Sequence, residues 1–186
     1  MLFRDGGADR PCRFVTYNHI DPPRAMASVS SDEILNWDMK VIVKQCTSEH
    51  FEGWVRLRQC LWPDDTLDEH RRYAESILNR PSDAVVYLAC EDREVIAFGE
   101  ATLRRDYVNG CRSSPIGFLE GLYVEPHYRR RGLARLLSSA LEDWAKGIGC
   151  TEFASDVLLS NETGQKVHEA LGFNESDRVV FYLKRL

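Results

Sequence analysis

Apolar residues recur with helical spacing between residues 133 and 144, and this is the most regular pattern in the chain. Counted from the first, they fall at i, i+3, i+4, i+7, i+8 and i+11, and they are Leu133, Leu136, Leu137, Ala140, Leu141 and Trp144. Such spacing puts them on one face of an α-helix, which is stable only when that face is buried. The chain must therefore pack this helix against a second layer of structure.

Six runs rich in β-branched and apolar residues supply that layer. They predict strands at residues 41–45, 84–91, 94–103, 116–126, 151–155 and 178–183. The pair Asp92-Arg93 separates two neighbouring runs, as a hairpin turn does. Glu120-Gly121 interrupts another run, and a glycine inside a strand indicates a bulge or a close backbone approach.

Three further helices complete the pattern. They are predicted at residues 48–62, 66–79 and 161–171. Ser48 is the expected cap of the first, Thr66 and Glu69 form a capping-box pattern at the second, and Gly172 ends the third. This order of elements predicts an α/β fold of the α+β type, in which helices pack on the faces of a mixed sheet.

Length and composition fit one globular domain. The 186 residues are 44% hydrophobic and 28% charged, and we expect a domain at residues 39–186 after a flexible leader or extension at residues 1–38. The formal net charge of -5 argues against nucleic acid as a partner and favours a cationic one. We expect no membrane span, because no apolar run reaches about 20 residues. The six cysteines form no CxxC pair, so we expect no metal site and a reducing, cytoplasmic location.

The segment Arg129-Arg-Arg-Gly-Leu-Ala134 opens the most regular helix directly after an apolar strand. Backbone N–H groups and the positive end of the helix dipole at such a position bind a diphosphate. Gly132 lets the backbone approach the phosphates, and the arginines add attraction at longer range. The arginine run alone is equally compatible with a solvated basic turn or a nucleic-acid patch, but the flanking strand and helix favour the diphosphate.

With its flanking elements, this segment resembles the acetyl-CoA motif of the GCN5-related N-acetyltransferases. The later pattern Asn161-x-x-Gly164-x-x-x-His168-x-x-x-Gly172-Phe173 is similar to the late helix of that superfamily. The resemblance implies a mostly antiparallel sheet with a splayed central strand pair, and acetyl-CoA as the cosubstrate. The residues that it assigns to acetyl-CoA are Leu122, Tyr123, Val124, Arg129, Arg130, Arg131, Gly132, Leu133, Ala134 and Asn161.

His168 stands where this superfamily commonly has a tyrosine that protonates the departing CoA thiolate. An imidazole can donate a hydrogen bond at the same place, so the resemblance makes His168 a candidate acid. The alternative is a structural or surface role, which is more common for a histidine on a helix.

Longer matches, from about residue 39 to the C-terminus, resemble the aminoglycoside 6'-N-acetyltransferases. They are LWPDD at Leu61, RRDYVNGCRSSP at Arg104, FLEGLYV at Phe118, TEFASD at Thr151 and KVHEALGFNESDRVVFY at Lys166. The resemblance implies an acceptor site lined by Trp62, Tyr107, Glu120 and Asp156, with Asp177 where that family has an acidic residue. Members of the family often dimerise, so a homodimer is one of the assembly states that the sequence leaves open.

The chemistry of these side chains suits such an acceptor. An aminoglycoside is a polycation that needs carboxylates for its ammonium groups and aromatic side chains for its rings. Taken singly, most of the five residues also have ordinary structural explanations, whereas Glu120, a carboxylate inside an apolar strand, favours a function. Transfer to the 6'-amine needs a base for the ammonium proton, and Glu120 is the first candidate and Asp156 the second.

Three other functions stay open from the sequence alone. An enzyme of the same fold that acetylates a protein or a small metabolic amine need not have so acidic a cleft. A CoA-binding regulatory module would bind the ligand without releasing thiol to any amine. A nucleic-acid-binding protein that used the arginine run would be retained on polyanions at moderate salt.

Overall fold

The computed structural model describes residues 41–185, and the predicted leader at residues 1–38 lies outside that range. The strands are β1 Ile42–Gln45, β2 Ala84–Glu91, β3 Glu94–Arg104, β4 Ile116–Val124 and β5 Phe153–Ser155. The helices are α1 Phe51–Leu61, α2 Leu67–Leu78, α3 Leu133–Gly147 and α4 Glu162–Leu171. Short 3-10 turns at Ser48–His50 and Pro126–Tyr128 precede α1 and α3. Within residues 41–185, no helix has the length and apolar character needed to cross a membrane.

The five strands form one sheet in the order β1-β2-β3-β4-β5. Neighbouring strands are antiparallel as far as β4, and β5 runs parallel to β4. One face of the sheet packs against α1 and α2 around Trp54, Leu57 and Phe98. The other face packs against α3 around Leu137 and Leu141. The predicted mixed sheet with helices on both faces is confirmed.

The ends of two helices follow signals that the sequence contains. At α2, Thr66 Oγ1 accepts from the backbone N–H of Glu69, and the Glu69 carboxylate accepts from the backbone N–H of Thr66, which confirms the capping box. Gly172 ends α4 with a φ of 98°, a left-handed conformation that glycine adopts without strain. The predicted cap at Ser48 is wrong, because Ser48 begins a 3-10 turn and α1 starts only at Phe51.

A bulge interrupts the β3–β4 ladder where the sequence predicts one. Glu100 pairs with Gly121, and the next residue, Ala101, pairs with Leu119, so Glu120 is the extra residue of β4. The ring of Trp62 lies against the same place, because a Cβ at Gly121 would be 2.5 Å from Trp62 Cη2. Both the predicted bulge and the predicted close approach are present.

The ladder between β4 and β5 is short. It runs from the pair Gly117–Phe153 to the pair Leu119–Ser155, while β4 continues to Val124. The two parallel strands therefore separate after Leu119, which confirms the predicted splayed pair.

The predicted strand at residues 178–183 is wrong. Residues 173–185 form no helix or strand, and Val180, Phe181 and Tyr182 are 74%, 80% and 93% exposed. The alternating composition suits a strand, but a strand forms only beside a hydrogen-bonded neighbour. Among residues 41–185, none of the five strands pairs with this segment.

The buried face of α3 includes fewer residues than its apolar pattern predicts. Leu133, Leu137 and Leu141 are buried, as predicted, but Leu136 is 54% exposed. The buried stripe follows the i, i+4, i+8 row, and Leu136 lies beside that row. The expectation that all six apolar residues face the sheet is therefore wrong for Leu136.

Candidate active site

The turn between β4 and α3 is shaped to hold an anion. Gly132 is the N-cap of α3 with a φ of 80°, which a residue with a side chain adopts only under strain. A Cβ at Gly132 would have no atom within 4 Å, so the space at the start of α3 is open. Arg130 and Arg131 are exposed beside it. Since the first N–H groups of a helix lack intrahelical partners, this turn fits a diphosphate.

The end of β4 leads from the splay to this turn. Leu122 and Tyr123 are buried, and the carbonyl oxygen of Val124 accepts from Arg129 Nε at 2.9 Å. The guanidinium of Arg129 lies 5.8 Å from the ring centre of Tyr123. Because β5 does not cover this part of β4, the strand edge offers backbone groups to an extended ligand such as a pantetheine arm.

Three other residues of the predicted acetyl-CoA set also serve the fold. Leu133 is 4% exposed and Ala134 packs against the core on the α3 side of the sheet. Asn161 caps α4, where its Oδ1 accepts from the backbone N–H of Gly164 at 2.9 Å. Leu133 and Ala134 therefore have only their backbone N–H groups to offer to a ligand at the start of α3.

Glu120 is a partly enclosed carboxylate that already contacts a cation. Its side chain is 14% exposed. Arg104 Nη2 donates to Glu120 Oε1 and Oε2 at 3.0 and 3.1 Å, and Thr102 Oγ1 also donates to Oε1. Arg104 in turn lies 3.3 Å from the ring centre of Phe118. An amine that reaches Glu120 must therefore displace these donors or share the carboxylate with them.

Trp62 belongs to the core as much as to the cleft. It follows α1 directly and is 8% exposed. The Trp62 ring packs on Gly121, and its centre lies 6.3 Å from the ring centre of Phe98. The guanidinium carbon of Arg58 lies 4.4 Å from the ring centre of Trp62. The Nε1–H of Trp62 is buried without a hydrogen-bond partner in the described residues. Trp62 connects the bulge of β4 to the interior of the protein.

Asp156 and His168 lie at the start of the splay. Asp156 directly follows β5, at the point where β5 leaves β4. From α4, His168 Nε2 lies 2.9 Å from Ser155 Oγ, and Ser155 Oγ lies 3.1 Å from the carbonyl oxygen of Leu119. A serine that was not predicted from the sequence therefore joins His168 to both parallel strands.

The protonation of His168 follows from its surroundings. Burial lowers the pKa of His168 below its usual range, and the Gly164 carbonyl and the charge of Asp156 oppose that shift. His168 Nδ1 lies 2.8 Å from the Gly164 carbonyl oxygen, which only accepts, so Nδ1 carries a proton. In the neutral imidazole Nε2 is then an acceptor. The single proton of the Ser155 hydroxyl has two acceptors within reach, His168 Nε2 at 2.9 Å and the Leu119 carbonyl oxygen at 3.1 Å. At neutral pH this nitrogen is set to receive a proton rather than to give one.

Tyr107 and Asp177 lie on two surface segments that touch. Tyr107 is 82% exposed on the loop between β3 and β4, and Asp177 is exposed after α4. A Cβ at Gly110 of that loop would lie 2.4 Å from Ser176 Oγ, so the two segments are in contact. Asp177 Oδ1 accepts from the backbone N–H of Arg178. The structure thus makes neighbours of two segments that are far apart in sequence.

Comparison with known proteins assigns this fold and cleft to a family. The sequence profile of the Acetyltransferase (GNAT) family matches residues 49–173. The aminoglycoside N(6')-acetyltransferase type 1 of Salmonella enteritidis is 45% identical over 143 residues, which cover 77% of this chain and 98% of the relative. The chain belongs to the aminoglycoside 6'-N-acetyltransferases of the GNAT family.

Other aminoglycoside 6'-N-acetyltransferases show the same relationship. The type 1 enzyme of Serratia marcescens is 43% identical over 141 residues, covering 76% of this chain and 97% of its own. The structure of AAC(6')-Iy with the bisubstrate analog CoA-S-monomethyl-acetylneamine is 44% identical, with a TM-score of 0.75 over 78% of this chain and 99% of that one. The apo AAC(6')-IG of Acinetobacter haemolyticus has the same TM-score at 40% identity and the same coverage. The predicted family and fold are both confirmed.

Residues that were not predicted contact the predicted site residues or lie directly behind them. They are Arg58, Glu100, Thr102, Arg104 and Ser155. Glu100 had a signal in the sequence, because it is a carboxylate inside an apolar run, as Glu120 is. Within residues 41–185, no group of three or more His, Cys, Asp or Glu side chains is arranged to hold a metal ion.

Proposed function

We propose that this protein transfers the acetyl group of acetyl-CoA to the 6'-amine of aminoglycosides. The observation that carries the proposal is its 45% identity to the Salmonella enteritidis aminoglycoside N(6')-acetyltransferase over 98% of that relative's length. Acetylation turns an ammonium group into a neutral amide and so removes one positive charge from the antibiotic. Loss of that charge weakens binding to an anionic target, which is how the reaction gives resistance.

Acetyl-CoA lies along the splay in this proposal. Its diphosphate binds at Gly132, with Arg129, Arg130 and Arg131 adding positive charge. Its pantetheine amides pair with the β4 backbone at residues 122–124, which β5 leaves uncovered. Asn161, the N-cap of α4, is the further residue that the proposal assigns to acetyl-CoA. The open space at a Gly132 Cβ and the left-handed φ there support this placement.

The acceptor lies on the Glu120 side of the splay. Glu120, Asp156 and Asp177 bind its ammonium groups, and Trp62 and Tyr107 border its rings. The contact between the Tyr107 loop and the Asp177 segment, at Gly110 and Ser176, supports a single cleft. Because Trp62 is only 8% exposed, an acceptor can contact no more than an edge of its ring.

Direct transfer needs a base for the ammonium proton and a proton for the thiolate. Glu120 and Asp156 are the candidate bases, and the donors on Glu120 from Arg104 and Thr102 favour Asp156. His168 reaches the thiolate through the Ser155 hydroxyl, because its Nε2 faces Ser155 Oγ. In the imidazolium form Nε2 donates to Ser155 Oγ, while the Ser155 hydroxyl donates to the Leu119 carbonyl oxygen. To protonate sulfur, the hydroxyl turns from Leu119, gives its proton to the thiolate and takes the Nε2 proton in return. Burial keeps that form scarce at neutral pH, since it lowers the pKa of His168.

The proposal includes a homodimer and a cytoplasmic location. The side chains of residues 179–183 are large, apolar and exposed, and monomers rarely display such a patch. The outer edge of β5 has no neighbour in the described sheet, so a second copy has a strand edge to pair with. Sedimentation of a Phe181→Glu variant tests the interface, since a monomer is expected where the unchanged protein is a dimer. Free cysteines and the use of acetyl-CoA support the cytoplasm.

One pair of acceptors tests the reaction. We expect thiol release from acetyl-CoA with an aminoglycoside that has a 6'-amine, and inhibition without turnover by the analogue that has a 6'-hydroxyl. NMR of the product must place the acetyl group on the 6'-nitrogen. Acetylation of the 6'-hydroxyl analogue on another amine would overturn the regiochemistry. Faster turnover of a protein N-terminus or a small metabolic amine would instead favour the alternative substrate class.

A further inference from the structure

Beneath Trp62 lies an ion pair that the protein encloses almost completely. The side chains of Arg58 on α1 and Glu100 on β3 are 3% and 2% exposed, and Arg58 Nη1 donates directly to Glu100 Oε1. Trp54 Nε1 donates to the other carboxylate oxygen at 3.2 Å. Such pairs lose their hydration on folding, and apolar side chains of similar size often give equal or greater stability. Stability alone does not account for this pair.

The guanidinium of Arg58 stacks on two aromatic rings. Its Cζ lies 4.4 Å from the ring centre of Trp62 and 4.0 Å from that of Tyr73. A guanidinium over the face of a ring attracts that face, which favours one position of the ring. The Trp62 backbone is also held, since its N–H donates to the Arg58 carbonyl at 2.8 Å and its own carbonyl accepts from His70 Nε2 at 3.0 Å. The orientation of Trp62 therefore depends on Arg58.

Glu100 lies at the bulge that carries Glu120. It pairs with Gly121, on which the ring of Trp62 rests. Glu100 therefore adjoins this point of β4 directly, and Arg58 is connected to it through the ring of Trp62. Glu120 is close enough to act on Glu100 electrostatically: the pKa of Glu100 is raised by its burial and, to a smaller degree, by Glu120, while Arg58 opposes the rise. Arg58 balances the charge of the enclosed Glu100 behind the bulge. Glu120 is the more exposed of the two carboxylates.

We propose that Arg58 and Glu100 are positioning residues of the acetyl transfer, which hold Trp62 and the Glu120 bulge in the geometry that the acceptor amine requires. This rests on the proposed function. The two residues act through Trp62 and Glu120, because their own side chains are closed off from any ligand.

A second Arg–Glu pair joins α1 and α2 and provides a matched control. Arg71 on α2 and Glu52 on α1 form an Arg–Glu pair at 3.1 Å, but their side chains are 38% and 67% exposed. The chemistry is the same, and the surroundings are solvent instead of core. Exposed pairs contribute little to stability.

The test compares Arg58→Met, the double variant Arg58→Met/Glu100→Gln and the control Arg71→Met/Glu52→Gln. Gln keeps an acceptor oxygen for Trp54, and the double variant leaves no unpaired charge in the core. We expect the thermal midpoint to fall in Arg58→Met and to recover in the double variant. The kcat/KM for an aminoglycoside should stay about tenfold or more below the unchanged enzyme in both, while the Kd of acetyl-CoA changes by less than about twofold. In the control, kcat/KM and the Kd of acetyl-CoA should stay within about twofold of the unchanged enzyme, and the thermal midpoint should stay within a few degrees.

A second readout follows Trp62 without turnover. The difference in fluorescence between each protein and its Trp62→Phe derivative isolates this residue, and we expect acrylamide to quench it severalfold more in the double variant than in the control. A double variant with unchanged thermal midpoint, kcat/KM and quenching would overturn the positioning role. If the unchanged enzyme acetylates no aminoglycoside, the proposed function fails, and quenching still decides whether the ion pair fixes Trp62.

Discussion

Arg104 donates to both carboxylate oxygens of Glu120, at 3.0 and 3.1 Å, across the β3–β4 pair. Both bonds come from Nη2, and Arg104 Nε also donates to Glu120 Oε1 at 3.3 Å, so two nitrogens of one guanidinium contact the carboxylate. A cationic acceptor therefore meets a carboxylate that the protein has already paired. We therefore predict that Arg104 weakens the attraction of Glu120 for a cationic substrate.

Replacing Arg104 with Met should lower the KM for an aminoglycoside severalfold and make it depend more steeply on salt, because Glu120 then lacks the guanidinium that balances its charge. Steady-state kinetics at two ionic strengths measure both effects. The free energy of unfolding should fall by about 1–3 kcal/mol, since a largely enclosed carboxylate loses its cation. Arg105→Met is the control, because Arg105 pairs with Asp83 at 62% exposure. A higher KM in Arg104→Met would show instead that Arg104 helps to bind the acceptor.

Gly132→Val should weaken acetyl-CoA binding by about tenfold or more, since a branched side chain would fill the open space at the start of α3 and strain a φ of 80°. Calorimetry with acetyl-CoA measures the loss. Gly149→Val is the matched control, because Gly149 has a φ of 92°, equally open space, and a place at the other end of α3. Both variants should lose comparable stability, but only Gly132→Val should lose affinity. Equal affinity in a folded Gly132→Val protein would exclude this diphosphate site.

Local signals made much of the fold predictable. Periodicity located α3, the Thr66–Glu69 pattern located the start of α2, and Gly121 marked both a bulge and a close contact. Each of these depends on residues close in sequence or on a property of one residue type. The same reasoning gave a wrong strand at residues 178–183. A strand also needs a neighbouring strand to pair with, and the composition of the segment does not specify one.

The contacts of the predicted site residues were less predictable from the sequence than the fold. The resemblance named Glu120 and His168, yet their partners Arg104 and Ser155 come from elsewhere in the chain. Arg104 has the appearance of an ordinary charge at the end of a strand, and nothing in its spacing indicates that it folds onto Phe118. Pairings of this kind are set by the register of β3 against β4 and by the splay.

Asp156→Asn and Glu120→Gln should separate the two candidate bases. The amide that replaces the true base should depress kcat, and the loss should shrink as pH rises and more free amine is present. The other variant should mainly raise the KM for the aminoglycoside and weaken its salt dependence, because only a charge is lost. We expect the kcat pattern from Asp156→Asn, since Arg104 and Thr102 already donate to Glu120. The kcat pattern from Glu120→Gln would reverse the assignment, and the Kd of acetyl-CoA should barely change in either variant.

His168 should make the stability of the protein depend on pH between neutral and mildly acidic conditions. Burial lowers its folded-state pKa below the usual 6.5, so the unfolded chain binds the proton more tightly. The free energy of unfolding should therefore be highest above about pH 6.5 and fall as pH drops through that value toward the folded pKa, by at most about 1.4 kcal/mol per pH unit for one proton. Urea unfolding at pH 7.5 and 5.5 should show this loss in the unchanged protein and a smaller loss in His168→Gln. The exposed His127 provides the control, and His127→Gln should keep the full pH dependence. If His168→Gln and the unchanged protein lost equal stability on acidification, His168 would not be the group that carries the dependence, and its folded-state pKa would not lie below that of the unfolded chain.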